Sequence, residues 1–497
     1  NMGDWMISKK RYWGLALPIW VDEGDPAQFE VIGSREELKE RAVEGWDAFD
    51  GKSPHKPWVD NVVIRNPKTG NRMRRVPDVG NPWLDAGIVA FSTLPAEPNE
   101  WRQWYPADFI TESFPGQFRN WFYALLAMST MMSDGEPPFK TLMGFATVRD
   151  QFGQEMHKSA GNSIEFVAAA SKGYELFRKI CVSDPSKTPK VELPKGQVSS
   201  REEVVTANGE TWKLEFRGYR PIGADVIRWF YCRHNPASNI NFGPEPTDEV
   251  RSKFVLKLWN TYGFFCNYAR LDGFDPSTDA VPLSRRPDID RWILSDLQGL
   301  IATAHESFKA YDVQSFCLEA EKFIDDKLSN WYVRRNRRRF WKGEHGEDKL
   351  AAYQTLYTVL KTLTQLCAPV IPFLSEVMYK NLRLEGEPIS LHLCDYPVPN
   401  PERTDAELTE EMNALLNLVS LGSAARNEAK IKVRQPLAEL QIKTNREAEK
   451  RAVRRFADQI TEELNLKSVT LVEDDGKNFL KAEAKLNMKT AASKIGP

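Results

Sequence analysis

From Gly223 to about residue 385, apolar residues return at three- and four-residue spacing almost without a break. The pattern runs through "KFVLKLWNTYGFFCNYAR" (253–270), "DIDRWILSDLQGLIATAHESF" (288–308), "FCLEAEKFIDDKLSNWYVRRN" (316–336) and "LAAYQTLYTVLKTLTQLCAPVIPFLSEVMYKNL" (350–382). Each segment carries an apolar stripe along one helix face, and stripes of this length must be buried against one another. Four long amphipathic helices joined by short connections predict an antiparallel bundle over residues 248–400.

The flanks are built differently. Residues 1–105 are rich in Trp, Pro and Gly, with short β-type runs such as "WVDNVVIR" (58–65). Next come a short apolar run, "PADFITES" (106–113), a turn at Pro115-Gly116, a strongly apolar segment (117–132) and a second β-type run, "FKTLMGFATV" (139–148). Strand, helix and strand at that spacing form a βαβ unit, whose strands pair in parallel. Glu112 and the loop 153–162 then fall at the carboxyl ends of strands, where such folds place their chemistry. Residues 174–222 read as an inserted excursion with Asn208-Gly209 at a hairpin tip. Beyond 401, a helix (409–430), the strand-like "LAELQIKT", a further helix to about Glu463 and a ragged end predict the start of a small α/β module. The expected domains are therefore 1–247 with the excursion inside it, 248–400 and 401–497.

A chain of 497 residues exceeds one ordinary core. Its 41% hydrophobic and 27% charged content belongs to a soluble protein. No apolar stretch approaches the ~18 residues of a membrane span. The longest, Trp121 to Met132, contains Ser129 and Thr130. Position 1 is Asn and no leader follows, so the chain is expected to be cut from something longer. Six scattered cysteines without a CxxC predict neither a disulfide framework nor a zinc knuckle, in keeping with a reducing cytosol. Lys and Arg (67) nearly balance Asp and Glu (69), so any contact with nucleic acid must come from local patches.

Two stretches carry chemistry. In "GQEMHKSAGNSIEF" (153–166), Lys158 and Ser159 are followed by Gly161-Asn162 and a helix start. A cation and backbone amides near a helix N-terminus can hold phosphate, although the same residues would also serve as a solvated loop. In "WYVRRNRRRFW" (331–341), five arginines stand among aromatic residues. Arginine grips phosphate in a bidentate fashion and aromatic rings stack on bases, which suits an RNA face; a solvated basic helix is the plainer alternative.

Met156, Lys158, Ser159, Gly161 and Asn162 resemble the Lys-Met-Ser-Lys-Ser signature of class I aminoacyl-tRNA synthetases, continued as x-Gly-Asn in the isoleucine and valine branch. Glu155 stands at the first lysine of that signature and His157 at its first serine. In the family's order, "DWMISKKRYWGLALPIW" (4–20) resembles DWxISRQRxWGxPIP and "NPWLDAG" (81–87) resembles VWFDSG, with Trp83, Asp85 and Gly87. "ITESFPGQFRNWF" (110–122) is similar to EGxDQxRGWF through Glu112, Gln117, Arg119, Trp121 and Phe122, with Gly116 in place of an aspartate that contacts ribose. "KLWNTYGFF" (257–265), "DRWILSDL" (290–297), "FIDDKLSNWYVRRNRRRFW" (323–341), "APVIPFLSEVMY" (368–379) and "SLHLCDYP" (390–397) resemble the anticodon-binding helical domain of that branch.

The resemblance implies the C-terminal half of a Rossmann-type catalytic domain, then an anticodon-binding helical bundle and a partial α/β module. It implies ATP, with Mg2+, as the substrate that activates an amino acid to its adenylate, followed by transfer to tRNA. "KIKVRQPL" (430–437), "EELNLKSV" (462–469) and "KLNMKTAASKIGP" (485–497) favour isoleucine and tRNA(Ile), with valine as the alternative. On the same footing, Lys158, His157 and Ser159 are the expected catalytic residues, and Glu112, Gln117, Met156, Gly161 and Asn162 bind ATP or the adenylate. Trp83, Asp85 and Trp5 line the amino-acid pocket, and Arg334, Arg335, Arg337, Arg338, Arg339 and Trp331 face tRNA. Many relatives carry CPxCG before MRRVP; "NPKTG" (66–70) puts Asn66 and Thr69 in the cysteine positions, so no zinc is expected. None of the six histidines stands in the family's His-x-Gly-His element, so this length of chain is expected to be inactive alone. A monomer in the cytoplasm is implied, and a non-catalytic tRNA-binding module is the competing reading.

Overall fold

In the computed structural model, which describes residues 5–94, 98–114, 116–341 and 346–472, the N-terminal segment closes around Trp20. Strands Phe29–Val31, Ile19–Asp22, Arg72–Arg75, Val63–Arg65 and Ala42–Glu44 lie in that order, each neighbouring pair antiparallel. They bury Trp20, Ile32, Ile64 and Met73 with Leu38, Phe49, Val59 and Val62. The Trp20 indole donates to the Val62 carbonyl at 2.9 Å, so its single polar atom is satisfied inside the core.

The turn at 66–70 closes through the Gly70 N–H on the Asn66 carbonyl, with Gly70 at φ +75°. Its anchor is Asp22, which sequence reasoning missed. The buried Asp22 carboxylate accepts from Asn66 Nδ2 and Thr69 Oγ1 at 2.6 Å each, Asn71 Nδ2 at 3.0 Å and the Gly24 N–H at 2.8 Å. Asn66 and Thr69 are thus tied to a carboxylate. With no thiolate and the side-chain groups already paired with one another, this donor set does not fit zinc.

The βαβ unit forms as its spacing predicts. Strands Ala107–Ser113 and Phe139–Phe145 pair in parallel with Glu112 opposite Gly144, joined by the helix Trp121–Met132. A second parallel pair, Val148–Asp150 with Ile240–Phe242, carries the chain into the loop of residues 150–162. The excursion leaves at strand Tyr174–Cys181 and returns through Ser199–Ala207 and Glu210–Tyr219, a three-stranded antiparallel sheet with Glu210–Tyr219 in the middle. Its tip is the expected Asn208-Gly209 turn, both residues at positive φ (51° and 77°).

The helical part has the predicted direction with two corrections. The segment 350–382 is two helices, Glu347–Cys367 and Pro372–Leu382. Pro369 has no N–H to continue the first helix, and Pro372 is suited to the first turn of the second. The segment 316–336 extends to Val313–Lys322, Phe323–Val333 and Arg334–Trp341 in unbroken succession, the middle stretch with wide π-type turns. Trp331, Tyr332 and Val333 are all buried although consecutive, as expected of a helix surrounded by other elements. The boundary expected after residue 247 falls inside the helix Pro244–Val250, which runs on through Arg251–Val255 into Leu256–Leu271. One hydrophobic core extends across it, from Ala169 to Leu464.

Helix Ala406–Glu428 leads to strand Leu437–Ile442, helices Glu447–Arg455 and Ala457–Leu464, and strand Leu466–Leu471, which pairs in parallel with the first strand. The stretch 485–497 lies outside the described residues. Among the described residues, no helix is long and apolar enough to cross a membrane.

Candidate functional site

The loop that carries Lys158 is organised by two buried side chains. Asp150 Oδ1 accepts the N–H groups of Phe152 (3.0 Å) and Gln154 (2.8 Å), and its Oδ2 accepts Asn162 Nδ2 (2.8 Å). Asn162 also donates to the Glu155 carbonyl (3.0 Å) and accepts the His157 N–H (3.0 Å). Lys158, Ser159 and Ala160 form a single 3₁₀ turn that ends on Gly161 at φ +86°. Asn162 and Gly161, expected to contact nucleotide, shape the loop through these bonds; Met156 is half-buried beside them.

His157, Lys158 and Ser159 project outward. The Lys158 side chain is 83% exposed and, among the described residues, meets only Glu165, Nζ to Oε1 at 3.4 Å. An exposed pair at that distance is weak and readily exchanged for a stronger anion. His157 Nε2 lies 3.6 Å from Glu155 Oε2, so the carboxylate at the first signature position faces the neighbouring imidazole.

The second element is the turn after the Ala107–Ser113 strand. Glu112 is half-buried and its Oε1 accepts the Ser113 N–H at 2.7 Å. The Gln117 N–H caps the Ser113 carbonyl, while Gln117 Oε1 is buried without a partner among the described residues. A buried orphan acceptor costs free energy unless a ligand donates to it. Gly116 is exposed, and among the described residues a Cβ there would have only Ser113 Oγ nearby, at 3.8 Å, so a Cβ is tolerated where the sequence provides no carboxylate.

Trp5 packs edge-on against Tyr123 of the Trp121–Met132 helix, centroids 5.6 Å apart. Trp83 and Asp85 sit on the short helix Pro82–Gly87, capped by Asn81, with Trp83 half-buried and Asp85 exposed. Gly87 lies so close to the same long helix that a Cβ would come within 2.8 Å of the Ala124 carbonyl oxygen, and the Trp121 indole donates to the Ala86 carbonyl. Trp5 and the short helix that carries Trp83 and Asp85 thus both pack against the helix that follows the Glu112 turn. The Glu112 turn and the Lys158 loop both follow the carboxyl ends of parallel strands.

The arginine helix divides into two groups. Arg339 grips Asp290 in a bidentate pair (Nη1–Oδ1 2.7 Å, Nη2–Oδ2 2.8 Å), and Tyr332 donates to the same carboxylate. Burial and the Asp290 charge push the Tyr332 phenol well above its ordinary pKa. Arg335 bridges Glu463 and Glu462, and Arg334 also holds Glu463, locking the helix to the C-terminal module. Trp331 is only 4% exposed, with the Arg335 guanidinium 5.3 Å from its ring, so it is unavailable for stacking on a base. Arg337 and Arg338 alone of the five are exposed and without a hydrogen-bonding or ionic partner among the described residues. Asp290, Glu462 and Glu463 lie within motifs read from the sequence, but nothing in those motifs marks them as partners of these arginines, because the pairing exists only through tertiary contact.

Residues 1–243 match the family described as tRNA synthetases class I (I, L, M and V), and residues 290–442 match the anticodon-binding domain of tRNA ligase. Similar curated proteins are the isoleucine–tRNA ligases of Thermus thermophilus (37% identical, covering 100% of this chain and 43% of that protein) and Clostridium novyi (37%, 100% and 42%). That of Dehalococcoides mccartyi is 35% identical over 95% of the chain and 42% of its own length. The chain spans less than half the length of these relatives. Among solved structures, the LeuRS–tRNA–LeuAMS ternary complex of Agrobacterium radiobacter aligns with a TM-score of 0.53 at 16% identity, over 82% of this chain and 43% of that one, a likeness of fold.

Proposed function

The chain belongs to the class I tRNA synthetases, and from that premise we propose that it is the part of an isoleucine–tRNA ligase that completes the nucleotide site and carries the anticodon-binding helices. The observation that carries the amino-acid assignment is the 37% identity to isoleucine–tRNA ligases across the whole chain. Isoleucine and ATP give isoleucyl-adenylate and pyrophosphate, and a terminal ribose hydroxyl of tRNA(Ile) then takes the acyl group, with AMP as the leaving group. Such a reaction is accelerated mainly by positioning and charge stabilisation.

Lys158, exposed at the tip of a turn fixed from beneath, supplies positive charge to the triphosphate, with His157, Ser159 and the turn's amides beside it. Glu112 receives the ammonium of the amino acid, and the unpaired Gln117 Oε1 accepts from the nucleotide or adenylate. Trp83, Asp85 and Trp5 line the amino-acid side of the same helix. Mg2+ enters on the triphosphate; among the described residues no cluster of three or more His, Cys, Asp or Glu is arranged to hold a metal. Arg337 and Arg338 contact tRNA phosphates, while Arg334, Arg335 and Arg339 hold their helix in place. The protein acts as a monomer in the cytoplasm.

Aminoacylation by the full-length protein tests this reading. Isoleucine should be attached to tRNA(Ile) in strong preference to valine on tRNA(Val). Efficient charging of tRNA(Val) would move the chain to the valine branch, and tRNA binding without charging of either would make it a binding module.

A further inference from the structure

The inserted sheet of residues 174–219 reaches the Lys158 loop at one point. Strand Tyr174–Cys181 is an outer strand of that sheet: one edge pairs with Glu210–Tyr219, and the other would present free N–H and C=O groups. At Phe177 this outer edge is taken, because the Phe177 N–H donates to the Gly161 carbonyl at 3.0 Å. Gly161 is glycine for two reasons at once. Its φ is +86°, and a Cβ there would come within 2.2 Å of the Phe177 carbonyl oxygen. Phe177 is itself held by its cross-strand partner Phe216, ring centroids 5.2 Å apart, and the Arg201 guanidinium lies over Phe216 at 3.7 Å.

The root of the excursion is equally closed. The Ala169 carbonyl accepts the N–H groups of Ile222 (2.6 Å) and Gly223 (3.1 Å), so the chain returns to the point it left. A sheet fixed at its root and pressed against the loop through one edge residue limits where that loop can go. On the loop side, the Gly161 N–H returns to the carbonyls of His157 and Lys158, so holding Gly161 holds the turn that displays Lys158.

We propose that the inserted sheet braces the phosphate-side loop, and that Phe177 is a positioning residue acting on Lys158 through Gly161. The catalytic consequence rests on the reading of Lys158 given above; the mechanical one does not. Phe177→Pro removes the N–H at a sheet edge, where proline is tolerated, and Phe177→Leu keeps it.

In the full-length protein, the amides of residues 157–161 in Phe177→Pro should exchange with deuterium roughly ten-fold faster than in the parent, a local opening without global unfolding. The KM for ATP in isoleucine-dependent pyrophosphate exchange should rise several-fold with the KM for isoleucine unchanged, and Phe177→Leu should restore slow loop exchange. Parental loop exchange in Phe177→Pro overturns the proposal. Faster loop exchange with pyrophosphate exchange indifferent to both Phe177→Pro and Lys158→Ala sustains the brace and removes the assigned role of Lys158. Should Phe177→Pro not fold, Gly161→Ala breaks the same contact from the loop side, and a loop that still exchanges slowly overturns the proposal equally.

Discussion

Asn162 and Asp150 are bound side chain to side chain inside the loop that displays Lys158, the Asn162 amide donating to Asp150 Oδ2 at 2.8 Å. With its other bonds to Glu155 and His157, Asn162 uses its donor and its acceptor within the protein. Its task is to hold the loop, and the exposed residues on the far side of that loop are free to meet a ligand.

Asn162→Ala should therefore destabilise the protein by about 1.5–3 kcal/mol, the range for a lost hydrogen bond to a charged group. Denaturant unfolding measures this. ATP KM should rise in parallel, because the turn that displays Lys158 loses the bonds that fix it.

The division within the arginine helix gives opposite expectations for neighbouring residues. Arg339→Ala leaves the fully buried Asp290 charge without its paired cation, with only the Tyr332 hydroxyl still donating among the bonds described, and should cost ~3–5 kcal/mol. Arg337→Ala and Arg338→Ala should each change stability by no more than about 0.5 kcal/mol. Together these two should weaken tRNA binding and flatten the dependence of log affinity on log salt, by ~0.7–0.9 per phosphate contact removed. Equal effects of all three on folding would dissolve the distinction.

Asp22 supplies a pH prediction. Hydrogen bonds, from Thr69 foremost, hold its carboxyl well below the ordinary range despite burial, with Gly24, Asn66 and Asn71 adding to the effect. A folded-state pKa below the unfolded one contributes stability that is full above the unfolded value, near ~3.9, and is lost as pH falls through the folded value. Asp22→Asn should lower the melting temperature at neutral pH, and its deficit relative to the parent should shrink as pH drops below about 4. EDTA should leave both melts unchanged; a chelator-sensitive parent would contradict the carboxylate hub.

Much of this fold was legible because its signals are local. Asn208-Gly209 announced a hairpin tip since both residues tolerate positive φ. The 106–148 segment announced parallel strands through run lengths alone. The break at 368–371 was written in Pro369 and Pro372, yet apolar periodicity on either side masked it. Arg335 and Arg339 looked like an RNA surface because Glu463 and Asp290 lie 128 and 49 residues away in the chain. The Asp22 hub gathers residues 44 to 49 positions distant, and the Phe177 contact joins an insertion to a motif. Pairings of that kind have no periodicity to read.

The proximity of Glu155 and His157, at 3.6 Å, makes the departure from the family signature testable. His157→Ser should lower the rate of adenylate formation, since it leaves Glu155 facing the phosphate side alone. Adding Glu155→Lys to it restores the two-lysine signature and should recover activity. A silent His157→Ser would show that the pair plays no part in the reaction.

Isoleucine-dependent pyrophosphate exchange by the full-length protein carrying Lys158→Ala tests the central claim most directly. Loss of a preorganised charge contact in the transition state should slow exchange by about 10²–10³-fold, or ~2.7–4 kcal/mol, with the affinity for isoleucine nearly unchanged. Exchange at the parental rate would contradict the assignment of the 153–162 loop to the phosphate side of the reaction.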